Sequence, residues 1–488
     1  ALEKIINEPK GMNTFSFIDP YPPGYDMLLG ILHQTSNSLS WTIKFFNGLI
    51  ISLGIIFFYL FVKEFTGNKN KALFATIILT FIPCYLSHFI WAHSLIVTLF
   101  FPAFYCLEKI NNDKRWFIVS SLIIASILVT QMTQAIKYGV FFLIYLIVIF
   151  ILSIKKNITS KAFSIFKAGI LGFLLSLFWW IPTILKYGGI RGFLTEFGFV
   201  KSATSLGKAA ELGIIGVLGT GTRKYYFKDF FFAKSQNMIN NPIGVGIVIS
   251  IILILTLVYI FFYLKKLKTH SYLIISLFWL TFTFLGIHGG TRLPVSLFSF
   301  RFWMLFSIPV SILAGEGIYL MLNLAKQLEK QIKLKYIIVI PLLVLLLTGV
   351  WYTSGKQKYA VNTSMWPPGA WNSNEEVQAY LWLKNNLPID TKVFTFSKDR
   401  THFIIGSDKF TCAWCEDEKK FREKAVDTST EDIYNWLKER NFEYIIIDEF
   451  IINKIGVENT ENLLTKIIAS GKFVQTIKIG NNFIFRLF

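Results

Sequence analysis

Residues 17 to 33, FIDPYPPGYDMLLGILH, mark the point where a polar segment gives way to a chain that is almost wholly apolar. The stretch places an aspartate, three prolines and a glycine directly before the first long apolar run. Proline rings fix the backbone φ angle, so the YPPG elbow at residues 21–24 is held in one shape. A rigid polar turn in this place predicts a loop that is held against one end of a bundle of membrane helices.

The composition of the 488 residues is that of a membrane protein. Hydrophobic residues make up 53% of the chain and 49 residues are phenylalanine, whereas soluble domains usually contain about 45–50% apolar residues. Runs of about 18 to 25 apolar residues are long enough to cross a bilayer as helices. About ten such runs occur, near residues 41–62, 72–90, 91–107, 116–134, 138–154, 165–185, 242–264, 271–288, 301–323 and 336–353.

The formal net charge of +19 is explained by membrane topology better than by nucleic-acid binding. The loops after the odd-numbered runs, such as VKEFTGNKNK (62–71) and IKKNITSK (154–161), are rich in Lys and Arg, and the alternate short loops are nearly free of them. Because cytoplasmic loops carry the excess of Lys and Arg, the odd loops are predicted to be cytoplasmic. Residues 1–40, the loop 186–241 and the tail from residue 354 then lie on the outer face.

The start of the chain, ALEKIINEPKG, has neither the basic nor the apolar region of a signal peptide. Because this segment is predicted to lie on the outer face, we expect an earlier membrane span to precede residue 1.

From residue 371 the pattern changes to that of a small α/β domain. Three helices and four strands are predicted, at NSNEEVQAYLWLKNN (372–386), KVFTF (392–396), STEDIYNWLKER (429–440), FEYIIID (442–448), TENLLTKIIASG (460–471) and the strand pair in FVQTIKIGNNFIFRLF (473–488). Apolar, β-branched strands between helices favour a mixed sheet covered by helices. Residues 354–370 are predicted to form the linker between this domain and the transmembrane domain, residues 41–353.

The motif CAWC at residues 412–415 is a single pair of cysteines in this domain. A zinc site needs four ligands, and the surrounding sequence does not supply them. The motif therefore predicts either a small disulfide loop or two thiols.

Three stretches resemble the GT-C superfamily of membrane glycosyltransferases, which includes oligosaccharyltransferase catalytic subunits, protein O-mannosyltransferases and aminoarabinose transferases. FIDPYPPGYDMLLGIL (17–32) is similar to the end of their first external loop, and SFRFWMLFSIPVSILAGEGI (299–318) to a late helix that an Arg-Phe pair opens. WNSNEEVQAYLWLKNNLP (371–388) is similar to the helix that opens the soluble domain of oligosaccharyltransferases. The resemblance implies an α-helical polytopic membrane bundle with a C-terminal extracytoplasmic small α/β domain.

Two departures from the family pattern concern its metal site and its acceptor site. No Trp-Trp-Asp-Tyr-Gly motif follows WLKNNLP, and the outer turn SHFIWAHS (87–94) carries His88 and His93 where the family has an acidic pair. A divalent metal, Mg²⁺ or Mn²⁺, would then have to bind through these imidazoles. The alternative is an interfacial hydrogen-bonding role, because residues five apart do not share a helix face.

Transfer of a sugar from a polyprenyl-phosphate carrier, which the resemblance implies, builds negative charge on the departing phosphate. Such a site needs cations near the phosphate and a base near the acceptor. Arg292 and Arg301 flank the external turn HGGTRLPVSLFSFR (288–301) and suit a planar grip on phosphate. They could equally extend to the membrane interface without a catalytic role. Tyr21 in the elbow and Arg223 in the mid-chain loop are further candidates for substrate binding.

The candidate catalytic acids are Asp19 and Asp26, which bracket the elbow, and Glu196 in the loop 186–241. Asp19 could equally cap a turn before proline, and Asp26 could be an acid that the helix dipole favours in a first turn. Long loops without secondary structure are often functional, and flexible external loops in the GT-C family close over the substrate.

These observations predict a glycosyltransferase that moves a sugar or oligosaccharide from a lipid-linked donor to a protein or glycan acceptor at the outer face of the plasma membrane. One alternative is an inactive GT-C-like scaffold or assembly subunit, which the histidines in SHFIWAHS allow. Another is a lipid-carrier transporter, which the nearly uncharged spans disfavour. No nucleic-acid partner is predicted.

Overall fold

The computed structural model of the chain is mostly α-helical and divides into two compact units, a helical unit within residues 22–364 and a mixed unit within residues 365–488. The structure describes residues 22–35, 39–86, 92–110, 112–113, 115–154, 159–186, 188–191, 225–232, 243–262, 270–289, 299–333, 336–363, 373–412 and 415–488.

The helical unit is built from long apolar helices. Its described α-helices are α1 (Gly24–His33), α2 (Leu39–Thr66), α3 (Lys69–Phe81), α4 (Ala92–Lys109), α5 (Arg115–Leu128), α6 (Met132–Ile154), α7 (Ser160–Lys186), α8 (Phe227–Phe231), α9 (Ile247–Phe262), α10 (Ser271–Gly289), α11 (Trp303–Gln331), α12 (Val339–Val350) and α13 (Lys356–Thr363). A 3-10 turn at Ser299–Phe302 leads into α11, and a π turn at Trp351–Gly355 joins α12 to α13.

Six helices among the described residues are long and apolar enough to cross a membrane. They are Trp41–Thr66, Met132–Ile154, Ser160–Lys186, Ser271–Gly289, Ser299–Gln331 and Val339–Thr363. The unit therefore has the character of a multi-pass membrane bundle, but the prediction of about ten spans is not confirmed. Each predicted run overlaps a described helix, yet some of these helices are short, as α3 is with 13 residues. The last span also continues as helix α13 into the segment that was predicted to be a linker.

Local hydrogen bonds and a proline set the limits of α3. The side-chain oxygen of Asn68, its N-cap, accepts hydrogen bonds from the amides of Asn70 at 2.8 Å and Lys71 at 3.2 Å. These bonds satisfy donors that the first turn of a helix leaves unpaired. The helix ends at Phe81, and Ile82, the residue before Pro83, is extended, because a residue before proline avoids the helical conformation. The chain then turns toward α4.

An aromatic cluster fills the centre of the helical unit. The indole of Trp279 on α10 is fully buried, and its ring centroid lies 4.9 Å from those of Phe104 on α4 and Phe141 on α6. Its Nε1–H donates to the carbonyl oxygen of Phe141 at 3.0 Å, so the one polar atom of the indole is satisfied, as burial requires. This packing fixes α4, α6 and α10 next to one another.

Lysine–glutamate pairs join neighbouring helices of the same unit. They are Lys71–Glu316 at 2.8 Å between α3 and α11, Lys161–Glu108 at 2.6 Å between α7 and α4, and Lys109–Glu64 at 2.9 Å between α4 and α2. Each pair neutralises a charge that would be costly to leave alone in an apolar bundle.

The mixed unit is the predicted small α/β domain. Its elements are α14 (Asn374–Asn386), β1 (Val393–Thr395), α15 (Thr401–Gly406), α16 (Glu416–Lys424), α17 (Thr430–Glu439), β2 (Tyr444–Ile447), α18 (Glu449–Ile455), α19 (Val457–Ala469), β3 (Phe473–Ile479) and β4 (Asn482–Leu487). The strand order is β1-β2-β4-β3, with β1 parallel to β2 and the other two pairs antiparallel. The prediction of a mixed sheet with flanking helices is therefore confirmed.

Serine side chains cap the first turns of two helices in this unit. Ser373 accepts the amide of Glu376 at 3.0 Å at the start of α14, and Ser429 accepts the amide of Asp432 at 3.1 Å at the start of α17. Such caps contribute about 1 kcal/mol each. The local sequence thus determines where these two helices begin.

A charged network is buried between the sheet and α14. The guanidinium of Arg400 lies 2.8 Å from Glu376 and 3.6 Å from Asp448, and none of the three side chains is exposed. The hydroxyl of Tyr380 donates to Asp448 at 2.6 Å, and Asp448 also caps α18 by accepting the amide of Ile451 at 3.0 Å. The network ties α14 to the end of β2.

Candidate functional site

Gly24, the last residue of the YPPG stretch, contacts the turn between α5 and α6. The amide of Gly24 donates to the carbonyl oxygen of Val129 at 2.9 Å. A Cβ atom at Gly24 would meet the Thr130 hydroxyl oxygen and the Val129 carbonyl oxygen at 2.8 Å each. Only glycine therefore allows this close approach. This contact places α1, which follows the elbow, against the helix ends that form the candidate site.

The start of α6 holds Arg301 in place. The side-chain oxygen of Gln131 accepts the amide of Gln134 at 2.7 Å, and its side-chain nitrogen donates to the Thr133 hydroxyl at 2.8 Å. The same hydroxyl accepts a hydrogen bond from Nη1 of Arg301 at 3.3 Å. The 3-10 turn before α11 and the first turn of α6 are thereby joined through one threonine.

Lys137, one turn further along α6, is fully buried. Its Nζ lies 4.1 Å from the ring centroid of Phe302, and within the described part of the chain it has no hydrogen-bond partner. The side-chain amide of Gln134 is also buried, and neither its nitrogen nor its oxygen has a hydrogen-bond partner within the described part of the chain. A buried ammonium without an anion costs several kcal/mol, so this position is one that a negatively charged ligand would stabilise.

His93, in the first turn of α4, lies near Lys137 and Arg301, and the three basic side chains are called the cation cluster after the lysine and the arginine. The imidazole is close enough to both cations for their charges to act on it, and the charges of Lys137 and Arg301 also act on each other. The first turns of α4 and α6 and the turn before α11 thus bring three basic side chains to the same end of the bundle.

Apart from Asp26, the carboxylates of the described helical unit are engaged elsewhere. Besides the three lysine pairs described above, Asp113 binds Arg115 at 2.6 Å, Asp229 accepts the amide of Tyr226 at 2.8 Å, and Glu329 accepts the amides of Ile338 and Val339 at 2.7 and 2.8 Å. These bonds hold turns and helix ends. Six of the acids of the described unit therefore have their partners away from the cation cluster.

The predicted Mg²⁺ or Mn²⁺ site at His88 and His93 remains a prediction. In the described ranges, no group of three or more His, Cys, Asp or Glu side chains could hold a metal ion. The charged groups that act on His93 are the cations Arg301 and Lys137, which repel a divalent cation. His88, the other predicted ligand, lies outside the described residues.

The structure describes three of the nine predicted site residues. Arg301 and His93 belong to the cation cluster, and Asp26 lies exposed in the first turn of α1, two residues after Gly24. The other six lie outside the described residues: Asp19, Tyr21, His88, Glu196, Arg223 and Arg292. Their roles remain predictions.

Sequence reasoning missed Lys137. The sequence predicts an apolar run that begins at residue 138 and leaves Lys137 in a loop, whereas α6 begins at Met132. The signal that could have found it is Gln131, whose side chain accepts the Gln134 amide in the manner of an N-cap residue. Counting from that cap places Lys137 inside the helix.

The turn between α3 and α4 is held by two further contacts at this end of the unit. Nζ of Lys358 on α13 donates to the carbonyl oxygens of Tyr85 at 2.5 Å and Ile82 at 3.3 Å. The thiol of Cys84 donates to the carbonyl oxygen of Trp303 at 3.3 Å. The chain that leads to His93 is thereby tied to α11 and α13.

Comparison with solved structures identifies this architecture. The apo oligosaccharyltransferase of Archaeoglobus fulgidus matches with a TM-score of 0.56 and 13% identity, over 88% of this chain and 61% of the other. ArnT from Cupriavidus metallidurans bound to undecaprenyl phosphate matches with a TM-score of 0.51 and 10% identity, over 95% and 87%. The chain has the GT-C fold. It spans about three fifths of the length of the oligosaccharyltransferase.

The GT-C likeness is one of structure. The same oligosaccharyltransferase tethered with an acceptor peptide containing the NVT sequon matches with a TM-score of 0.53 and 13% identity, over 93% of this chain and 64% of the other. At the level of sequence, no protein-family model and no curated protein matches the chain. The predicted resemblance to GT-C membrane glycosyltransferases is confirmed at the level of the fold.

Proposed function

We propose that this GT-C chain is a glycosyltransferase that moves a sugar or oligosaccharide from a polyprenyl-phosphate carrier to a protein or glycan acceptor at the outer face of the membrane. In this proposal the cation cluster of His93, Lys137 and Arg301 binds the carrier phosphate. The ArnT structure bound to undecaprenyl phosphate supports a lipid-phosphate ligand for a bundle of this fold.

The burial of the Lys137 amine without a hydrogen-bond partner among the described residues is the observation that carries the proposal. An exposed lysine at a helix end would need no ligand, because water solvates its charge. Lys137 is fully buried, and its contact with the Phe302 ring contributes about 2 kcal/mol. That is less than the several kcal/mol that a buried unpaired charge costs. A phosphate oxygen would supply the missing anion.

The proposed chemistry follows from the negative charge that develops on the departing phosphate oxygen. The bond between the anomeric carbon and the phosphate oxygen breaks, and the electron pair stays on that oxygen. Cations placed beside the oxygen stabilise this state more than they stabilise the bound donor, which lowers the barrier. Arg301 binds phosphate through a planar fork of donors, whereas Lys137 acts as a point charge.

The acceptor group that attacks the anomeric carbon loses a proton, and a carboxylate would take it. Asp19, Asp26 and Glu196 remain our candidates for this base. Asp26 is the one of these that the structure describes, and its helix begins at the glycine that contacts the α5–α6 turn. Tyr21, Arg223 and Arg292 remain candidates for substrate binding.

The test uses the full-length protein in nanodiscs with undecaprenyl phosphate and a labelled undecaprenyl-phosphate sugar. We expect Lys137→Met to weaken undecaprenyl phosphate binding at least tenfold, equivalent to about 1.4 kcal/mol, and to abolish sugar transfer. Lys44→Met is the matched control, because Lys44 is exposed on α2. Undiminished phosphate binding by Lys137→Met would overturn the assignment of the site. Phosphate binding without transfer by the native protein would instead favour an inactive scaffold subunit.

A further inference from the structure

Gln134 is a buried glutamine at the start of α6, and the proposed phosphate site does not use its side chain. Its backbone amide donates to the side chain of Gln131 at 2.7 Å, which fixes the first turn of the helix. The side-chain amide is fully buried, and within the described ranges neither its oxygen nor its nitrogen has a hydrogen-bond partner. Because an unpaired buried amide is costly, this group also points to a ligand.

Buried polar side chains in the α/β domain show how such groups are normally satisfied. The guanidinium of Arg422 donates to the carbonyl oxygen of Cys412 at 2.8 Å and to the carboxylate of Glu418 at 2.6 Å. Cys412 and Cys415 in the same loop form a disulfide, which is one of the two states that the CAWC motif predicts. Among the described residues, Gln134 departs from this pattern with both of its side-chain polar atoms.

Gln134 and Lys137 lie on the same face of α6. They are three residues apart, and residues with this spacing are neighbours on a helix surface, about 4.5 Å apart along the axis. Both side chains are fully buried. Thr133, the residue before Gln134, accepts the hydrogen bond from Arg301. A ligand that reaches Lys137 therefore has the Gln134 amide within one helical turn.

A carrier phosphate satisfies only one half of this amide. The nitrogen of Gln134 can donate to a phosphate oxygen, whereas the amide oxygen is an acceptor and needs a donor. The phosphate diester of a carrier-linked sugar offers only acceptor oxygens. The missing donor must therefore come from another part of the ligand, and the sugar is the part attached to the phosphate.

We propose that Gln134 selects the donor by its first sugar, accepting a hydrogen bond from the O–H or N–H group on the carbon next to the anomeric carbon. This group is the hydrogen-bond donor of the sugar that lies nearest to the phosphate, because the other neighbour of the anomeric carbon is the ring oxygen, which carries no hydrogen. The inference rests on the proposed function and deepens it, since it assigns recognition of the sugar to a named residue.

The experiment measures equilibrium binding of four undecaprenyl phosphates to the full-length protein in nanodiscs. One is the bare carrier. The other three carry β-linked glucose, N-acetylglucosamine or 2-deoxyglucose, which differ only at the carbon next to the anomeric carbon. We expect the native protein to bind the glucose or the N-acetylglucosamine carrier roughly tenfold more tightly than the 2-deoxyglucose carrier, because the deoxy sugar leaves the amide oxygen of Gln134 unpaired.

Two variants of Gln134 separate its oxygen from its nitrogen. Gln134→Met removes both polar atoms at similar length, so it should bind the three sugar carriers within about twofold of one another. Gln134→Glu keeps acceptor oxygens and supplies an anion to Lys137. It should keep the preference among the sugars but bind the bare carrier roughly tenfold more weakly. Gln327→Met, an exposed change on α11, should leave every affinity unchanged.

Failure of this inference can be told apart from failure of the phosphate site. If the native protein does not bind the bare carrier, the proposed function fails and this inference fails with it. If the bare carrier binds but neither substituted sugar is preferred over 2-deoxyglucose, or Gln134→Met keeps the preference, the assignment of Gln134 is overturned.

A structural role for Gln134 as a partner of Lys137 within the protein would also overturn the assignment. It would appear as a lower melting temperature of Gln134→Met without ligand, together with an equal loss of affinity for all four carriers. If Gln134→Met fails to fold, Gln134→Glu still decides, because loss of the preference among the sugars in that variant would contradict a role for the acceptor oxygen.

Discussion

Lys137 of α6 ends on the face of Phe302, with its Nζ 4.1 Å from the ring centroid. Phe302 follows Arg301 directly in the chain, so this one contact brings the two cations of distant helices together. Gly286 makes room for the ring, since a Cβ at that position would meet Phe302 atoms at 2.3 Å. The candidate phosphate site therefore depends on the packing of α6, α10 and α11.

The first prediction is that Lys137→Met stabilises the protein while it removes activity. Methionine has a similar length and carries no charge. The variant loses a cation–π contact of about 2 kcal/mol but removes the larger cost of an unpaired buried ammonium. We expect a higher melting temperature in nanodiscs without ligand. A lower melting temperature would mean that the ammonium has an anionic partner within the protein.

Thr133 should act on phosphate binding through Arg301. Thr133→Val removes the hydroxyl that accepts from Arg301 Nη1 at 3.3 Å, at a cost of about 0.5–1.5 kcal/mol. We expect roughly two- to tenfold weaker undecaprenyl phosphate binding. Thr133→Ser keeps the hydroxyl and should bind as the native protein does. Equal losses in the two variants would indicate a packing effect instead.

The elbow contact can be tested with two glycines of the same helix. In Gly24→Ala the new Cβ would lie 2.8 Å from Thr130 and Val129 oxygens, so overpacking should destabilise the protein by about 1–3 kcal/mol and reduce transfer. In Gly30→Ala nothing lies within 4 Å of the new atom, and alanine should stabilise α1 by about 0.5–1 kcal/mol. Equal melting temperatures for these variants would contradict the docked position of the elbow.

Asp448 should make the stability of the α/β domain fall as the pH rises. Burial raises the pKa of this carboxyl above its usual value, although hydrogen bonds from Tyr380 and the Ile451 amide oppose the shift. The folded protein then keeps the proton at pH values where the unfolded chain has lost it. Raising the pH from about 4 therefore favours unfolding.

Asp448→Asn removes this dependence, because asparagine can still cap α18 and Arg400 still has Glu376 at 2.8 Å. The melting temperatures of the native protein and of Asp448→Asn are compared between about pH 4 and pH 7. The same pH dependence in both proteins would contradict the raised pKa of Asp448. Arg400→Met is a contrasting variant. It leaves two buried carboxylates without their cation, at a cost of about 3–5 kcal/mol.

Sidedness is the fifth prediction. In intact cells, a membrane-impermeant maleimide should label Gln475→Cys on β3 and should not label Asn112→Cys between α4 and α5 until the membrane is opened. Both positions are exposed in the structure. The prediction follows from the Lys- and Arg-rich loops, and labelling of both sites from the same side would contradict it.

The sequence by itself determined the class of the protein and much of its local structure. Apolar runs predicted the membrane helices, and alternation of helix and strand patterns predicted the mixed sheet, because burial and backbone hydrogen bonding act over a few residues. The caps at Ser373 and Ser429 act over the same short range. The sequence did not determine the number of long spans, because helix length also depends on prolines and on tertiary packing.

Only the tertiary structure decided which charges meet. His93, Lys137 and Arg301 lie on three helices, and no spacing in the sequence relates them. Whether a lysine in an apolar run is exposed at a membrane surface or buried against Phe302 depends on how α6 and α11 pack. The energetic cost of that burial, from which the phosphate site is inferred, exists only once the helices are assembled.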